Sequence, residues 1–192
     1  MTAAAQLLSP RLLLQAPSLA LAPAVLDYQL RNRTYFARWD PSYPPDYFEP
    51  ARAAERLIEG EQAFTAGSAY RYWFSLQEAP ATPIGQVHIS QLTRGAFQSA
   101  VLGYSLDAQH QGRGLMHEAL QALIAEMFGP RVRLHRIQAA VRPENLRSRQ
   151  VLLRLGFERE GLSRRYLHID GAWRDHEVFA RINEAWQPPT PA

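Results

Sequence analysis

A mixed α+β fold, a sheet flanked by four helices, is what the sequence predicts, and three observations carry it. A β-prone run over residues 101–106 meets a glycine-punctuated loop over 109–114. That loop opens an amphipathic helix with Leu115, Ala119, Ala122, Leu123 and Met127 at helical spacing. Asp170-Gly171 separates two long strand-like runs and is a strong hairpin signal. Hydrophobic content of 46% and charged content of 20% over 192 residues fit a globular domain with room for a sizeable core.

In chain order, residues 1–8 read as a flexible start and a single domain as running from 9 to 185. A first strand is expected over residues 11–15. A helix follows from Pro23, where proline suits the first turn, to Arg38. Residues 39–48 hold three prolines and several aromatics, hence a loop. Pro50 starts a second helix that ends before Gly67. Strands are expected over 70–77, 84–91 and 98–106, joined by Pro- or Gly-bearing turns. The glycine-loop helix covers 112–128, a strand 135–141, a helix 144–155, and the closing hairpin 157–169 and 172–182. Residues 186–192 read as a flexible end.

Composition excludes several chemistries. No cysteine occurs, so disulfides, thiolate nucleophiles and Cys-based zinc sites are ruled out. All 21 basic residues are arginine, which removes Schiff-base lysines and a P-loop lysine. Ten of these arginines fall between Arg131 and Arg165, either a solvated surface or a rim for phosphates or RNA. A net charge of +3 argues against a dedicated nucleic-acid binder, so any contact with RNA would be incidental. The apolar stretch over residues 12–26 is broken by Gln15, Pro17, Ser18 and Pro23 and does not read as a membrane span. No basic segment precedes it, so a cytoplasmic protein is expected, with no metal and no membrane partner.

The loop after residue 106 has the makings of an anion cradle. A strand feeding a Gly-rich turn presents free backbone N–H groups and the positive end of a helix dipole. Gly112 and Gly114 lack Cβ atoms that would hold a phosphate away. The pattern is Q-x-x-G-x-G, from Gln109 to Gly114. It is neither the dinucleotide fingerprint nor a nucleotide P-loop.

That pattern resembles the acyl-CoA pyrophosphate loop of the GNAT N-acetyltransferases. About thirty residues on, a strand leads to N-x-x-S (Asn145, Ser148) and then L-G-F (Leu155, Gly156, Phe157), as in that superfamily. R-N-R-T-Y-F-A-R-W-D-P from Arg31 and Y-L-H-I-D-G-A-W-R-D-H from Tyr166 look like the ribosomal-protein alanine N-acetyltransferases. The resemblance covers nearly the whole chain. It implies a mostly antiparallel sheet in which two central parallel strands, ending at Leu106 and Val141, splay into a V. It also implies acetyl-CoA as co-substrate and the N-terminus of a protein, such as a ribosomal protein, as acceptor.

The same resemblance assigns roles. Tyr104, Ser105 and Leu106 would pair with pantetheine, and the Leu106 N–H, freed at a bulge, would polarise the thioester carbonyl. Pyrophosphate would rest on the N–H groups of Gln111, Gly112, Arg113, Gly114, Leu115 and Met116, with Gln109 and Arg113 adding side-chain contacts. Asn145 would bind the cofactor or cap its helix. The tyrosine acid common in the superfamily is replaced by Leu152, which leaves Ser148 to assist the leaving thiolate. No glutamate stands at Ala139 or Ala140, so His88, Tyr104 and Glu160 are the candidate bases. The aromatic loop over 35–48 and the closing hairpin would select the acceptor or simply cover the core. A polyamine, an aminoglycoside or a toxic peptide nucleotide remains open as acceptor, given Asp40, Asp46 and Glu49. A non-catalytic acyl-CoA-binding ribosome-assembly factor remains open as well. The sequence leaves the oligomeric state unknown.

Overall fold

The structure, a computed structural model, describes residues 2–188. Strands β1 (Gln6–Leu8) and β2 (Leu12–Gln15) lead through a short 3-10 turn (Leu19–Leu21) into α1 (Ala22–Phe36). Next come α2 (Pro50–Ala66), β3 (Tyr70–Leu76), β4 (Gly85–Thr93) and β5 (Ser99–Leu106). A second 3-10 turn (Ala108–His110) precedes α3 (Leu115–Phe128), β6 (Arg136–Val141), α4 (Leu146–Arg154), β7 (Glu158–Ile169) and β8 (Ala172–Ile182). The eight strands form one sheet in the order β1-β2-β3-β4-β5-β6-β8-β7, antiparallel throughout except for the β5–β6 pair.

Local chemistry accounts for the boundaries. Pro50 sits in the first turn of α2, where its missing N–H costs nothing, and Gly67 ends the helix in the left-handed region at φ 70°. Asp170 and Gly171 both take positive φ, the backbone a tight two-residue hairpin requires, and they join β7 to β8 as the sequence predicts.

The start of the chain differs from expectation. Gln6–Leu8 pairs with Leu13–Gln15 as a strand, and Ala3 is buried in the core. The Ala4 N–H donates to Glu126 Oε1 at 2.7 Å, and the Thr2 hydroxyl donates to the Phe64 carbonyl. The flexible start expected over 1–8 is therefore corrected for residues 2–8: these groups find partners that a local sequence window does not display. The expected flexible end lies partly outside the described residues, but Trp186 donates its indole N–H to the Arg133 carbonyl.

Two cores flank the sheet. On one face α3 and α4 bury Leu115, Leu120, Leu123 and Leu152 against Tyr72, Val87, Leu102, Ile137 and Phe179. On the other, α1 and α2 close over Trp73 with Val25, Tyr28, Phe36 and Leu57. The period-2 alternation of β3 serves both: Tyr70, Tyr72 and Phe74 face the larger core and Trp73 the smaller.

Candidate active site

The cleft opens where the parallel pair stops pairing. β5 and β6 are in register only from Ser99↔Arg136 to Val101↔Gln138, so residues 102–106 and 139–141 diverge. The Asp107 N–H donates to the Ile84 carbonyl beyond the end of β4. Successive strand N–H groups point to opposite sides, so the Leu106 N–H points the other way, into the gap left by β6. The Tyr104 backbone shares that direction. The expected bulge is corrected: the β4–β5 irregularity lies at Ser90–Thr93, the far end of the pair. Splaying, not a bulge, frees the Leu106 N–H.

The cleft is a cavity of about 660 Å³. Its walls include Tyr104, Ser105, Leu106, Gln111, Gly112, Gly114, Leu115, Met116, Asn145 and Ser148, which is all of the expected site except Gln109 and Arg113. The Gln109 N–H caps toward Asp107 Oδ1, while the Arg113 carbonyl is held by Arg11 Nη1 at 3.0 Å. Gly112 and Gly114 take φ 74° and 75°, where a side chain would be strained. A Cβ at Gly112 would meet nothing within 4 Å, leaving room for a ligand. Among the described residues, the N–H groups from Gln111 to Met116 find no protein acceptor. Six free donors at a helix N-terminus fit a pyrophosphate.

The loop is held from below. Asp107 is 3% exposed and receives Arg31 Nε at 2.7 Å and the Gln109 N–H at 2.9 Å, while Asn32 Oδ1 accepts the Ala108 N–H. Burial would raise the Asp107 carboxyl, but these hydrogen bonds and the Arg31 charge hold it below the usual carboxylate range. The R-N-R segment of α1 therefore positions the loop.

On the α4 wall, Asn145 Oδ1 accepts the Ser148 N–H at 3.2 Å, so Asn145 caps its helix. The amide nitrogen stays available to a ligand, so capping and binding coexist. Ser148 Oγ donates to the Tyr104 hydroxyl at 2.7 Å, which donates in turn to the Ser148 carbonyl. Burial raises the Tyr104 phenol, so it stays protonated and suits donation rather than service as a base. Leu152 is fully buried in the core. The phenol absent from α4 thus reaches the cleft from β5.

The other two candidate bases lie elsewhere. His88 lines a second cavity on the α1/α2 face, with its pKa lowered to about 3 by burial and by Arg71. Glu160 forms an exposed ion pair with Arg136. The carboxylate that does enter the cleft is Asp40, from the loop after α1. Burial raises its pKa above the usual carboxylate range, against a hydrogen bond from the Tyr43 hydroxyl. Among the described residues no arginine pairs with it. Its charge reaches Tyr28, whose hydroxyl lies 2.9 Å from Ser105 Oγ, next to Leu106. Asp46, by contrast, pairs with Arg52.

Tyr35 lines the cleft from the segment expected to select the acceptor, and Arg147, Gln150 and Arg154, none of them named individually as site residues from the sequence, line it from α4. The last three repeat at helical spacing beside Ser148 and Val151, a signal available in the sequence. Gln111 bridges the cleft, donating to the Tyr35 hydroxyl at 2.5 Å and accepting from Arg147. The arginine-rich segment divides: Arg147 and Arg154 line the cleft, whereas Arg131, Arg136, Arg142, Arg149 and Arg159 pair with carboxylates.

Comparisons with known proteins agree with this architecture. A family model described as an acetyltransferase (GNAT) domain matches residues 11–158. The [ribosomal protein uS5]-alanine N-acetyltransferase of Escherichia coli (strain K12) is 38% identical over 162 residues, spanning 84% of this chain and 82% of that protein. A solved ribosomal-protein-S5-alanine acetyltransferase from Vibrio fischeri superimposes with a TM-score of 0.91 at 33% identity, covering 95% and 99% of the two chains. Mycobacterium smegmatis RimJ, solved with CoA-disulfide, gives a TM-score of 0.84 at 32% identity over 90% and 82%.

Proposed function

The chain belongs to the GNAT acetyltransferase family, and on that premise we propose that it moves the acetyl group of acetyl-CoA onto a protein N-terminal α-amine. A ribosomal protein is the acceptor that the names of its relatives support. The observation that carries this reading is the Leu106 N–H, unpaired at the mouth of the V. On one side of it lie six free loop donors, and on the other the half-buried carboxylate of Asp40. We place the reaction in the cytoplasm, where ribosomes are found.

In this reading the loop N–H groups and the dipole of α3 hold the pyrophosphate, and Asn145 adds its amide donor. The Tyr104 and Leu106 backbones pair with the pantetheine arm, which sets the thioester carbonyl against the Leu106 N–H. Asp40 takes a proton from the acceptor's ammonium. The freed nitrogen attacks the carbonyl carbon, the C–N bond forms and the C–S bond breaks. The departing thiolate receives a proton from the Ser148–Tyr104 pair, and the acylated nitrogen loses its surplus proton to restore that pair, leaving a neutral amide, the CoA thiol and one proton on Asp40. An α-ammonium of pKa about 7.7–8.0 yields its proton to a weak base far more readily than a lysine near 10.4.

Intact-mass analysis of ribosomal proteins incubated with the enzyme and acetyl-CoA tests the assignment. One acetyl group should appear on a protein whose N-terminus is free, and blocking that terminus should abolish it. Acetylation confined to lysine side chains would defeat the N-terminal reading and leave the family intact.

A further inference from the structure

Asp40 stands on a segment that secondary structure does not hold. Residues 37–49, between the end of α1 and the start of α2, contain no helix or strand, only the single Pro41–Ile169 bridge. Pro41, Pro44 and Pro45 lack backbone N–H groups. Backbone bonds over residues 41–49 are short turns, from the Tyr47 N–H to the Pro44 carbonyl and from the Glu49 N–H to the Asp46 carbonyl. A base that must meet an amine at hydrogen-bond distance needs firmer support than that.

Side chains supply it, in a continuous series that starts on α2. Arg56 Nη1 donates to the Tyr47 carbonyl at 2.7 Å and Nη2 to Gln29 Oε1 at 2.9 Å. Gln29 Nε2 donates in turn to the Tyr47 hydroxyl at 3.2 Å. The Arg56 guanidinium also lies 3.7 Å from the centre of the Tyr47 ring. Tyr47 is thus held at its carbonyl, its ring face and its hydroxyl. Tyr43 stacks on it with ring centres 4.1 Å apart, and Phe48 packs edge-on against both. The series ends where the Tyr43 hydroxyl donates to Asp40.

Among the described residues, Tyr43 is the only side chain that hydrogen-bonds the Asp40 carboxylate. The other ionisable groups around this part of the cleft are Tyr28 of α1, Tyr104 of β5, His117 of α3, Arg142 after β6, and Arg147 and Arg154 of α4. Burial raises the Asp40 carboxyl, and the Tyr43 hydroxyl works against that rise. Burial also raises the Tyr43 phenol, so it stays protonated and donates. Aromatic residues that merely roofed the core would end on water or a carbonyl as readily. This stack ends on the carboxylate of the cleft.

We propose that Arg56 and Tyr43 are positioning residues for acetyl transfer: Arg56 fixes Tyr47, Tyr47 carries Tyr43 on its ring face, and the Tyr43 hydroxyl aims the Asp40 carboxylate at the acceptor amine. The inference rests on Asp40 as the proton acceptor, and its test separates the two.

The full-length protein is labelled with carbon-13 at its aspartate carboxyls, and the signal missing from Asp40→Asn identifies Asp40. Its titration midpoint should move to higher pH in Tyr43→Phe, because the donor to the ionised form is gone. Arg56→Ala should move it in the same direction by less. Arg56→Lys, which keeps a cation near the Tyr47 ring but loses the fork, should fall between Arg56→Ala and wild type. The double variant should titrate like Tyr43→Phe alone, since the two residues act in series. In peptide acetylation followed by free CoA thiol, kcat/KM of Tyr43→Phe should fall roughly tenfold or more on the acid side of the pH profile. That is the worth of a hydrogen bond to a charged group, and the loss should be smaller on the plateau.

An unmoved Asp40 midpoint in folded Tyr43→Phe or Arg56→Ala would overturn the proposal, as would an activity loss equal at every pH. Should Arg56→Ala not fold, Arg56→Gln takes its place. A midpoint that moves while the acid limb of the activity profile stays would overturn Asp40 as proton acceptor and leave the stack's hold on its carboxylate standing.

Discussion

On the α3/α4 side of the splayed sheet, recognition is offered by the backbone: six loop N–H groups, the Leu106 N–H and two glycines at positive φ. Toward the α1/α2 side the cleft wall is made of side chains, with Tyr35, Trp39 and Asp40 arriving from the end of α1 and the loop after it. A backbone cradle tolerates many side chains provided glycine stands where φ or close approach demands it. A side-chain cavity changes its ligand with a single substitution. One enzyme scaffold can therefore keep its donor and exchange its acceptor.

The comparison breaks most sharply at Asp40. Asp40→Asn should lower kcat/KM by roughly 10²–10⁴-fold, the usual worth of a general base. It should also remove the acid limb of the wild-type pH profile. That limb reflects a carboxyl raised by burial, so activity falls as pH drops through a pKa above the usual carboxylate range. The stability effect has the opposite sign. A carboxyl whose folded pKa is raised favours the fold only while protonated and loses that contribution as pH rises through the folded pKa. At neutral pH the inactive Asp40→Asn protein should therefore melt no lower than wild type. Unchanged kinetics would move the proton acceptor elsewhere.

The Ser148–Tyr104 pair joins the two sides and comes next. Ser148→Ala and Tyr104→Phe should each lower kcat by roughly 10²-fold with little change in acetyl-CoA affinity. The double variant should be little worse than either single one, because groups acting as a unit are not additive. Additive losses in stopped-flow single turnovers would mean two independent roles.

On the backbone side, Gly114→Val places a β-branched residue at φ 75° and a Cβ on the cradle. Acetyl-CoA affinity, measured by calorimetry, should fall by about tenfold or more, since such backbone strain is of order 1–3 kcal/mol. Undiminished affinity in a folded Gly114→Val protein would break the contrast between backbone and side-chain recognition.

The smallest effect belongs to the carboxylates that support the loop and its helix. Burial would raise Asp107, Glu118 and Glu126, but hydrogen bonds led by Arg31, Ser9 and Arg131 respectively hold all three below their usual range. Their stabilisation is complete above the unfolded values of about 3.9–4.3 and is lost as pH falls through the lower folded ones. Thermal melts should decline progressively below about pH 4, and Asp107→Asn should flatten that decline.

Much of the donor site was legible because it is local. The proposed cradle is six successive residues, Gln111 to Met116, and Asn145 and Ser148 lie one helical turn apart. The N-terminal strand was not legible, because Ala4 and Gln6 find partners in Glu126 and Gln15, and Ala3 a place in the core, that no short window contains. Nor was the choice among His88, Glu160 and Asp40. All three are ordinary titratable residues in the sequence, and burial and neighbours separate them only after folding.

Element order, the Asp170-Gly171 turn and the glycine loop follow from local sequence, since propensity, proline and left-handed backbone act over a few residues. Tertiary structure alone decided which way the Leu106 N–H points, because the parallel pair stops at Val101 and Gln138. It also brought a tyrosine from β5 to the serine of α4, and Asp40 rather than His88 into the cleft. Those outcomes depend on strand register and on the packing of helices on opposite faces, distances that the linear order of residues does not fix.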